Sequence, residues 1–306
     1  MALRNPILMT TFVSDRRSSM KISQDPTSLK TPTSPIADPR KAHVKSEDAL
    51  RQEWERLPKD WYRVYQSESL KAASYSEKYF ARWILEEFDD ITLNTRDLRQ
   101  AGFKVSDHHG QAQVQAQTQG LDMTEKRLVR ALFNAARLPP LGSMLDYEVP
   151  LKGTEAAPHG DIDLLTHDAS SLLLIEAKQG GSSESLLKAA LQAYTYSSLV
   201  AHVKARFVGC YGMNESVKLT PAVLTFGTAA SGKQLAELER QPNTRALILR
   251  LNQELAAKSL SGMRFFVCGD DLATCARCLT TAACGKGWPK IMFREGFSPS
   301  ICEVKI

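Results

Sequence analysis

Residues 160–178 of the chain read GDIDLLTHDASSLLLIEAK. Two short apolar runs joined by a polar turn are typical of a β-hairpin. Alternate side chains of a strand share a face, so Asp161 and Asp163 lie together on the first strand, and Glu176 and Lys178 lie together on the second. Acids and a lysine within apolar strands are costly to bury unless a partner compensates them. A divalent cation would do so, because carboxylates supply hard oxygen ligands and leave coordination positions for water and phosphate.

The segments around this hairpin alternate in type from residue 121 to about 270, which indicates an α/β domain. Helical patterns cover residues 122–137, 183–200 and 232–258, the last interrupted near Pro242. Strand patterns cover residues 144–151, 160–166, 171–177, 205–211, 221–226 and 264–268. We therefore predict a central mixed β-sheet flanked by helices, in a domain that spans residues 121–306.

The chain before this domain has a different pattern. Residues 46–102 carry aromatic side chains such as Trp54 and Trp61 at helical spacing, which predicts a small helical unit packed on the main core. Residues 104–120 are polar and rich in Gln, which predicts a linker. We therefore predict an N-terminal helical extension and linker over residues 46–120.

The first 45 residues form a tail of their own. Residues 1–45 include a stretch rich in Ser, Thr and Pro that cannot bury enough apolar surface to offset chain entropy, so we predict disorder. The formal net charge of the chain is +5, and residues 1–46 hold eight Lys and Arg against three Asp, which leaves 31 basic and 31 acidic residues elsewhere. The positive charge therefore belongs to the tail, where it adds unspecific affinity for phosphates.

The composition excludes several classes of protein. Hydrophobic residues make up 43% and charged residues 24% of the chain, which excludes a fully disordered chain or a coiled coil. No run of eighteen apolar residues is present, so no membrane-spanning helix is expected. The start lacks a secretion signal, and none of the six cysteines precedes Cys210. We expect an intracellular, by default cytoplasmic, protein; the alternative is a transit peptide around Arg16 and Arg17.

Three short motifs follow one another along the core. Asp163 lies on the first strand of the hairpin, and Glu176-Ala177-Lys178 lies on the second, thirteen residues later from acid to acid. Gln192 and Tyr196 follow on the next predicted helix, and Gln192 lies fourteen residues beyond Lys178. In this order on strand, strand and helix, the motifs resemble the PD-(D/E)XK nuclease superfamily and its RecB-like branch. The resemblance covers about residues 121–230.

The resemblance implies a restriction-endonuclease-like core and a role for each residue of the hairpin. Asp163, Glu176 and the carbonyl of Ala177 would hold Mg²⁺ or Mn²⁺, and Asp161 is a further candidate ligand of the metal. Such a metal polarises the scissile phosphate and lowers the pKa of a bound water. Lys178 would orient or deprotonate that water and offset the charge on the phosphorus.

Two helices add candidate residues to this site. Gln192 and Tyr196 lie one helical turn apart, and by the resemblance they contact the substrate or the metal shell. Glu125 precedes a stripe formed by Leu128 and Leu132, which places an acid on the core-facing side of its helix. The superfamily often has a catalytic glutamate there. The other interpretation of Glu125 is a solvated first-turn residue, which is favourable at a helix N-terminus.

A second pattern imitates a phosphate-binding loop. Residues 227–234 read GTAASGKQ and follow an apolar strand, as a P-loop does. The last position of a P-loop provides a hydroxyl for Mg²⁺, but here it is Gln234, and only 72 residues follow it. We therefore favour an ordinary strand-to-helix turn.

The cysteines leave two interpretations open. Cys275, Cys278 and Cys284 have the spacing found in the iron–sulfur branch of RecB-like nucleases, and Cys268 could complete an Fe–S or Zn group. The alternative is a helix over residues 272–283 with buried cysteines on one face. We favour the helix, because the cluster lacks a second CxxC pair.

The residues favour one function over its alternatives. Asp163, Glu176 and Lys178 complete the acid and lysine set, which favours a Mg²⁺- or Mn²⁺-dependent nuclease that hydrolyses phosphodiester bonds in DNA. The alternative is a catalytically inactive module of the same fold that serves as a nucleic-acid or protein binding scaffold. In a third interpretation the hairpin lies on the surface, where Glu176 and Lys178 only pair with each other.

Overall fold

The computed structural model describes residues 45–71, 76–105, 125–168, 170–179, 182–269, 279–282, 290–293 and 298–306. Residues 1–44 of the predicted tail and residues 106–120 of the predicted linker lie outside this range. The strands in the described residues are β1 (Arg137–Leu138), β2 (Gly142–Pro150), β3 (Asp161–His167), β4 (Ser171–Lys178), β5 (Lys218–Phe226), β6 (Arg264–Cys268), β7 (Leu279–Ala282), β8 (Lys290–Phe293) and β9 (Ile301–Val304).

Seven of these strands form one mixed sheet in the order β1-β2-β3-β4-β5-β6-β9. Strands β2, β3 and β4 form an antiparallel meander, whereas β5 and β6 continue the sheet parallel to β4. The predicted hairpin is confirmed as the β3–β4 pair, in which His167 lies opposite Leu172. Strands β7 and β8 form a second, two-stranded antiparallel sheet.

Helices cover the sheet and connect its parallel strands. They are α1 (Glu47–Arg56), α2 (Trp61–Tyr65), α3 (Glu68–Lys71), α4 (Glu77–Glu86), α5 (Glu125–Asn134), α6 (Leu186–His202), α7 (Lys204–Gly209), α8 (Ala230–Ala236) and α9 (Pro242–Ala257), with short 3₁₀ helices at Phe88–Asp90 and Leu238–Arg240. Parallel neighbours need such crossovers, and α6 lies between β4 and β5 in the chain. The predicted α/β architecture with a central mixed sheet and flanking helices is confirmed.

Strand β4 decides on which side of the sheet the site lies. All its residues are buried, as expected for a strand with neighbours on both edges and helices on both faces. Leu172 and Leu174 face the core cluster that contains α6, whereas Ile175 faces the cluster that contains α5. Glu176 and Lys178 continue the row of Leu172 and Leu174 toward the end of the strand.

The helices predicted for the extension are present and pack on the core. Trp54, Trp61, Tyr65 and Trp83 are buried in the same cluster as α6 and α9. The ring centroids of Trp61 and Tyr194 of α6 lie 5.0 Å apart in an edge-to-face arrangement. All the described residues, from Lys45 to Ile306, belong to one compact unit.

Two predicted elements are wrong. Residues 205–211 were predicted as a strand, but residues 205–209 lie in helix α7, which begins directly after α6 and buries Phe207 and Val208, and residues 210–211 form a turn. A short apolar run does not distinguish a strand from a buried helical turn, so its tertiary context decides. The helix predicted over residues 272–283 is also wrong where it is described, because residues 279–282 form β7, in which β-branched Thr280 and Thr281 favour a strand.

Glu77 of α4 connects the extension to the start of α6. Its side chain is buried and accepts a hydrogen bond from the Leu187 backbone N–H at 3.0 Å and another from Gln234 of α8. Gln234 in turn accepts one from the Leu186 N–H at 2.7 Å. The Glu77 carboxylate thus satisfies a backbone donor in the first turn of α6, where a helix has no internal acceptor. Burial raises the pKa of Glu77 to about 7 in spite of these hydrogen bonds.

We expect the stability of the protein to fall as the pH rises from 4.5 to 7, in part because of Glu77. A carboxyl with a raised pKa binds its proton more tightly in the folded state, so its contribution is present below pH 4.5 and is lost as the pH passes 7. Glu77→Gln should remove up to about 3 kcal/mol of this pH dependence. Urea unfolding between pH 5 and 8 measures it, and the exposed Glu237→Gln variant should keep the wild-type slope.

Gly232 explains the P-loop-like pattern without a phosphate. A methyl group at this position would lie 2.0 Å from the carbonyl oxygen of Phe226, the last residue of β5. The glycine therefore allows α8 to pack directly against the end of β5. Gln234 uses its side chain to bind Glu77 and Leu186, as described above. The interpretation as a strand-to-helix turn accounts for both residues.

Gly232→Ala should lower the free energy of unfolding by about 2 kcal/mol or more, because the new methyl group has to displace backbone. Chemical denaturation measures the effect. Gly209→Ala in α7 is the matched control, since a methyl group there meets open space. We expect the control to be neutral or to stabilise the helix by up to about 1 kcal/mol. Equal effects of the two variants would contradict the packing role of Gly232.

Candidate active site

Lys178, the last residue of β4, lies among carboxylates. Its Nζ atom is 2.6 Å from Glu176 Oε1, 2.7 Å from Glu184 Oε2 and 3.7 Å from Glu125 Oε2. The three acids come from β4, from the segment before α6 and from the first turn of α5. Glu176 and Lys178 are only 3% and 2% exposed, so the interpretation as a solvated surface hairpin is wrong.

Asp163 joins this group through a backbone hydrogen bond. The ladder between β3 and β4 runs from His167 to Leu164, opposite Leu172 to Ile175. Just beyond its end, Asp163 Oδ2 accepts a hydrogen bond of 2.8 Å from the Ala177 N–H. The carboxylate thus takes the place of a ladder partner and is held beside the Glu-x-Lys motif.

The proximity of these groups changes their protonation. Burial raises the pKa of Glu176 to about 7, although the Lys178 ammonium opposes the change. Burial and then the Glu176 charge raise the pKa of Asp163 well above its usual range, and burial also raises the pKa of Glu125. Burial disfavours the charged form of Lys178, but the surrounding carboxylates outweigh it and raise the Lys178 pKa well above its ordinary value. Lys178 is therefore an ammonium ion at neutral pH.

Glu184 and Lys188 extend the cluster at the start of α6. Ser185 caps this helix by accepting a hydrogen bond of 3.0 Å from the Lys188 N–H, and the Lys188 ammonium pairs with Glu184. Burial opposes ionisation of Glu184, but Lys178 and Lys188 together lower its pKa. When all are ionised, the carboxylates of Glu125, Asp163, Glu176 and Glu184 face the ammonium groups of Lys178 and Lys188.

This donor set suits a divalent cation in its chemistry. The four acids provide only hard oxygen ligands, and their excess of two negative charges over the two lysines matches the charge of Mg²⁺ or Mn²⁺. The described residues contain no group of three His, Cys, Asp or Glu already arranged around a metal position. The Lys178 ammonium bridges three of the carboxylates, so a cation would have to compete with it for Glu176.

Gln192 and Tyr196 lie beside the acids, on the face of α6 that covers β4. Gln192 and Tyr196 are both buried and lie one helical turn apart on this face. The Gln192 Oε1 atom is buried, and no hydrogen-bond partner for it lies among the described residues. Burial and then the nearby Glu176 charge raise the pKa of Tyr196 above its usual range, so it stays protonated.

Asp161 lies apart from the other candidate ligands. It is half-buried at the start of β3, opposite Pro150 of β2. Burial raises its pKa, and the charges that act on it most are those of Lys126 and Lys152, followed by Glu148. The structure therefore brings together Glu125, Asp163, Glu176, Lys178, Gln192 and Tyr196, but not Asp161.

The cysteines are only partly described. Cys268 is buried in β6 within the core cluster under α5, and Cys302 is exposed on the neighbouring strand β9. Cys275, Cys278 and Cys284 lie outside the described residues. The Fe–S or Zn group thus stays an unfavoured prediction.

No protein-family model, curated protein or solved structure matches this chain. The likeness to PD-(D/E)XK nucleases therefore depends on the three motifs and on the arrangement of their side chains. In the part of the chain that the structure describes, no helix is long and apolar enough to cross a membrane.

Sequence reasoning missed several residues of the site. Glu184 and Lys188 form an acid–base pair four residues apart at the start of a predicted helix, a signal that could have identified them. Gly160 directly precedes the acid strand and loosely matches a glycine that the RecB-like branch favours there, but its close approach to Tyr196 is seen only in the structure. Tyr65 lies 131 residues before its partner Tyr196, and no local pattern connects the two.

Lys178→Met should lower the free energy of unfolding by about 3–5 kcal/mol at pH 8, because the buried acids lose their counter-charge. The loss should be smaller at pH 5, since the carboxyls with raised pKa, Glu176 above all, are then protonated. Urea unfolding at the two pH values measures the difference. Lys218→Met, an exposed change at the start of β5, should stay within about 0.5 kcal/mol of wild type. An equally small, pH-independent effect of Lys178→Met would contradict the buried cluster.

Proposed function

We propose that this protein is a metal-dependent nuclease that hydrolyses phosphodiester bonds in DNA. The observation that carries the proposal is the buried Lys178 ammonium, held by carboxylates that converge from different elements. Burying so many charges costs folding free energy, so the stability of the fold does not explain why they are there. Ionisable groups with pKa values shifted in this way cluster at functional sites.

The order of helices and strands supports the same proposal, and we propose a restriction-endonuclease-like core. Helix α5 precedes the antiparallel strands β2, β3 and β4, and helix α6 then leads to the parallel strand β5. Asp163 lies on β3, the Glu-x-Lys motif on β4, and Gln192 and Tyr196 on α6. Their side chains lie together, as the resemblance to PD-(D/E)XK nucleases requires.

The charge of each residue in the cluster suggests its role in the proposed reaction. Asp163 and Glu176 would hold Mg²⁺ or Mn²⁺, which supplies a polarised phosphate and a water of lowered pKa. Lys178, whose pKa the surrounding carboxylates raise, acts as a hydrogen-bond donor that orients the water and offsets negative charge, and not as the base. Glu125 suits the role of proton acceptor, because burial raises its pKa above that of an ordinary carboxyl and its side chain is 33% exposed.

The second candidate function is a catalytically inactive module of this fold that binds nucleic acid or proteins as a scaffold. Two observations favour this scaffold function. The Lys178 ammonium already donates a hydrogen bond to Glu176, and both side chains are almost inaccessible to solvent. A structural ion-pair network would have the same geometry without turning over a substrate.

Asp163→Asn should reduce Mg²⁺- or Mn²⁺-dependent cleavage of DNA by at least about a hundredfold. It should also abolish the rise in melting temperature that either ion produces, since a ligand bound only to the native state stabilises it. Without metal, the variant should melt at the same temperature or higher, because it relieves acid–acid repulsion while the amide oxygen still accepts from Ala177.

The exposed Asp90→Asn variant is the control and should behave like wild type in both measurements. An unchanged ion response in Asp163→Asn would contradict the metal site. A wild-type protein that binds DNA but cleaves neither DNA nor RNA with Mg²⁺ or Mn²⁺ would favour the scaffold.

A further inference from the structure

The hydroxyl of Tyr196 accepts a hydrogen bond from the Tyr65 hydroxyl in α2, with an O–O distance of 3.4 Å. A phenol oxygen has one proton to donate and two lone pairs that accept. Tyr65 therefore occupies one of the two lone pairs, and the Tyr196 hydroxyl keeps its own proton to donate.

The position of this hydroxyl is fixed from two further directions. A methyl group at Gly160, the residue before β3, would lie 2.3 Å from the Tyr196 oxygen, so the backbone passes directly beside it. On the other side, the rings of Tyr65 and Tyr196 are perpendicular, at 87°, with their centroids 6.1 Å apart. Glu176 and Asp163 are the charges that act on Tyr196 most, so its hydroxyl lies near the acids of the candidate active site.

The extension holds Tyr65 in place against α6. Asp60 caps α2 by accepting a hydrogen bond of 3.0 Å from the Arg63 N–H, and Tyr65 is fully buried. Ser185, the cap of α6, donates to the Leu70 carbonyl at 3.4 Å, just after Tyr65 in the chain. The segment that carries Tyr65 is thus attached to the start of the helix that carries Tyr196.

We propose that Tyr65 is a positioning residue of the active site, which fixes the Tyr196 hydroxyl as a hydrogen-bond donor to a phosphate oxygen of the bound nucleic acid. The helical extension is then part of the site and not a separate module. A phosphodiester is the fitting acceptor, because its oxygens accept hydrogen bonds and donate none. This inference deepens the proposed function, and it rests on that proposal for the identity of the substrate.

Binding of a DNA oligonucleotide, with Ca²⁺ in place of Mg²⁺, tests the inference by a double-mutant cycle. Tyr196→Phe should raise the dissociation constant about tenfold, and Tyr65→Phe should raise it about threefold to tenfold. If Tyr65 acts only through Tyr196, the double variant should bind no more weakly than Tyr196→Phe alone. Tyr62→Phe, which removes a hydroxyl from the same helix, should stay within twofold of wild type.

If Tyr65→Phe fails to fold, Gly160→Ala is a second variant that tests whether the position of the Tyr196 hydroxyl affects oligonucleotide binding. The new methyl group displaces the Tyr196 hydroxyl without changing Tyr65. It should weaken oligonucleotide binding in the wild-type background and have no further effect beside Tyr196→Phe. Losses that multiply in either double variant, or an equal loss in Tyr62→Phe, would overturn the positioning role.

Cleavage with Mg²⁺, measured on the same proteins, separates this inference from the proposed function. Binding that follows the cycle without any cleavage supports the role of Tyr65 and overturns the nuclease. Cleavage by a protein whose variants show independent losses overturns the role of Tyr65 alone. A wild-type protein that neither binds nor cleaves the oligonucleotide overturns both.

Discussion

The rest of the structure depends on one interaction, the burial of the Lys178 ammonium among carboxylates. An ammonium ion inside a protein is tolerated only if anionic partners surround it at short distance. Glu176 meets this condition from the same strand, Glu184 from the segment before α6 and Glu125 from α5. The cluster therefore constrains how the sheet packs against both flanking helices. The charges add little stability themselves, so the two apolar cores on either side of the sheet must supply it.

The cluster lies where the sheet changes its character. Strand β4 is antiparallel to β3 and parallel to β5, so its last residues lie beside both the entry of β3 and the crossover into α6. In the row of β4 that faces α6, Leu172 and Leu174 are apolar, and the next alternate positions carry Glu176 and Lys178. The extension completes this arrangement, because Glu77 and Leu70 bind the first turn of α6 and thereby fix the helix that covers the charged end of β4.

The sequence was most informative where a pattern is local. The hairpin, its charged positions and the following helix could be predicted because alternation within a strand and spacing within a helix need only neighbouring residues. Residues 205–211 were predicted wrongly, because a run that includes Phe207 and Val208 is equally apolar in a strand and in a buried helical turn. Tyr65 and Glu77 could not be found from the sequence, since their roles arise from contacts with α6 more than a hundred residues away. Asp161 and Asp163 looked equivalent in a strand, yet only Asp163 lies beside Ala177 at the end of the ladder.

The close approach of Gly160 to Tyr196 has a consequence for the evolution of the chain. The phenol oxygen occupies the volume that a side chain at position 160 would need. A lineage that replaces the glycine must first shorten or redirect the aromatic residue, and one that loses the phenol is free to vary at position 160. The two positions, 36 apart in sequence, are thus expected to drift together when relatives of this protein are compared. Such paired change would trace the history of the site even where the acids themselves never vary.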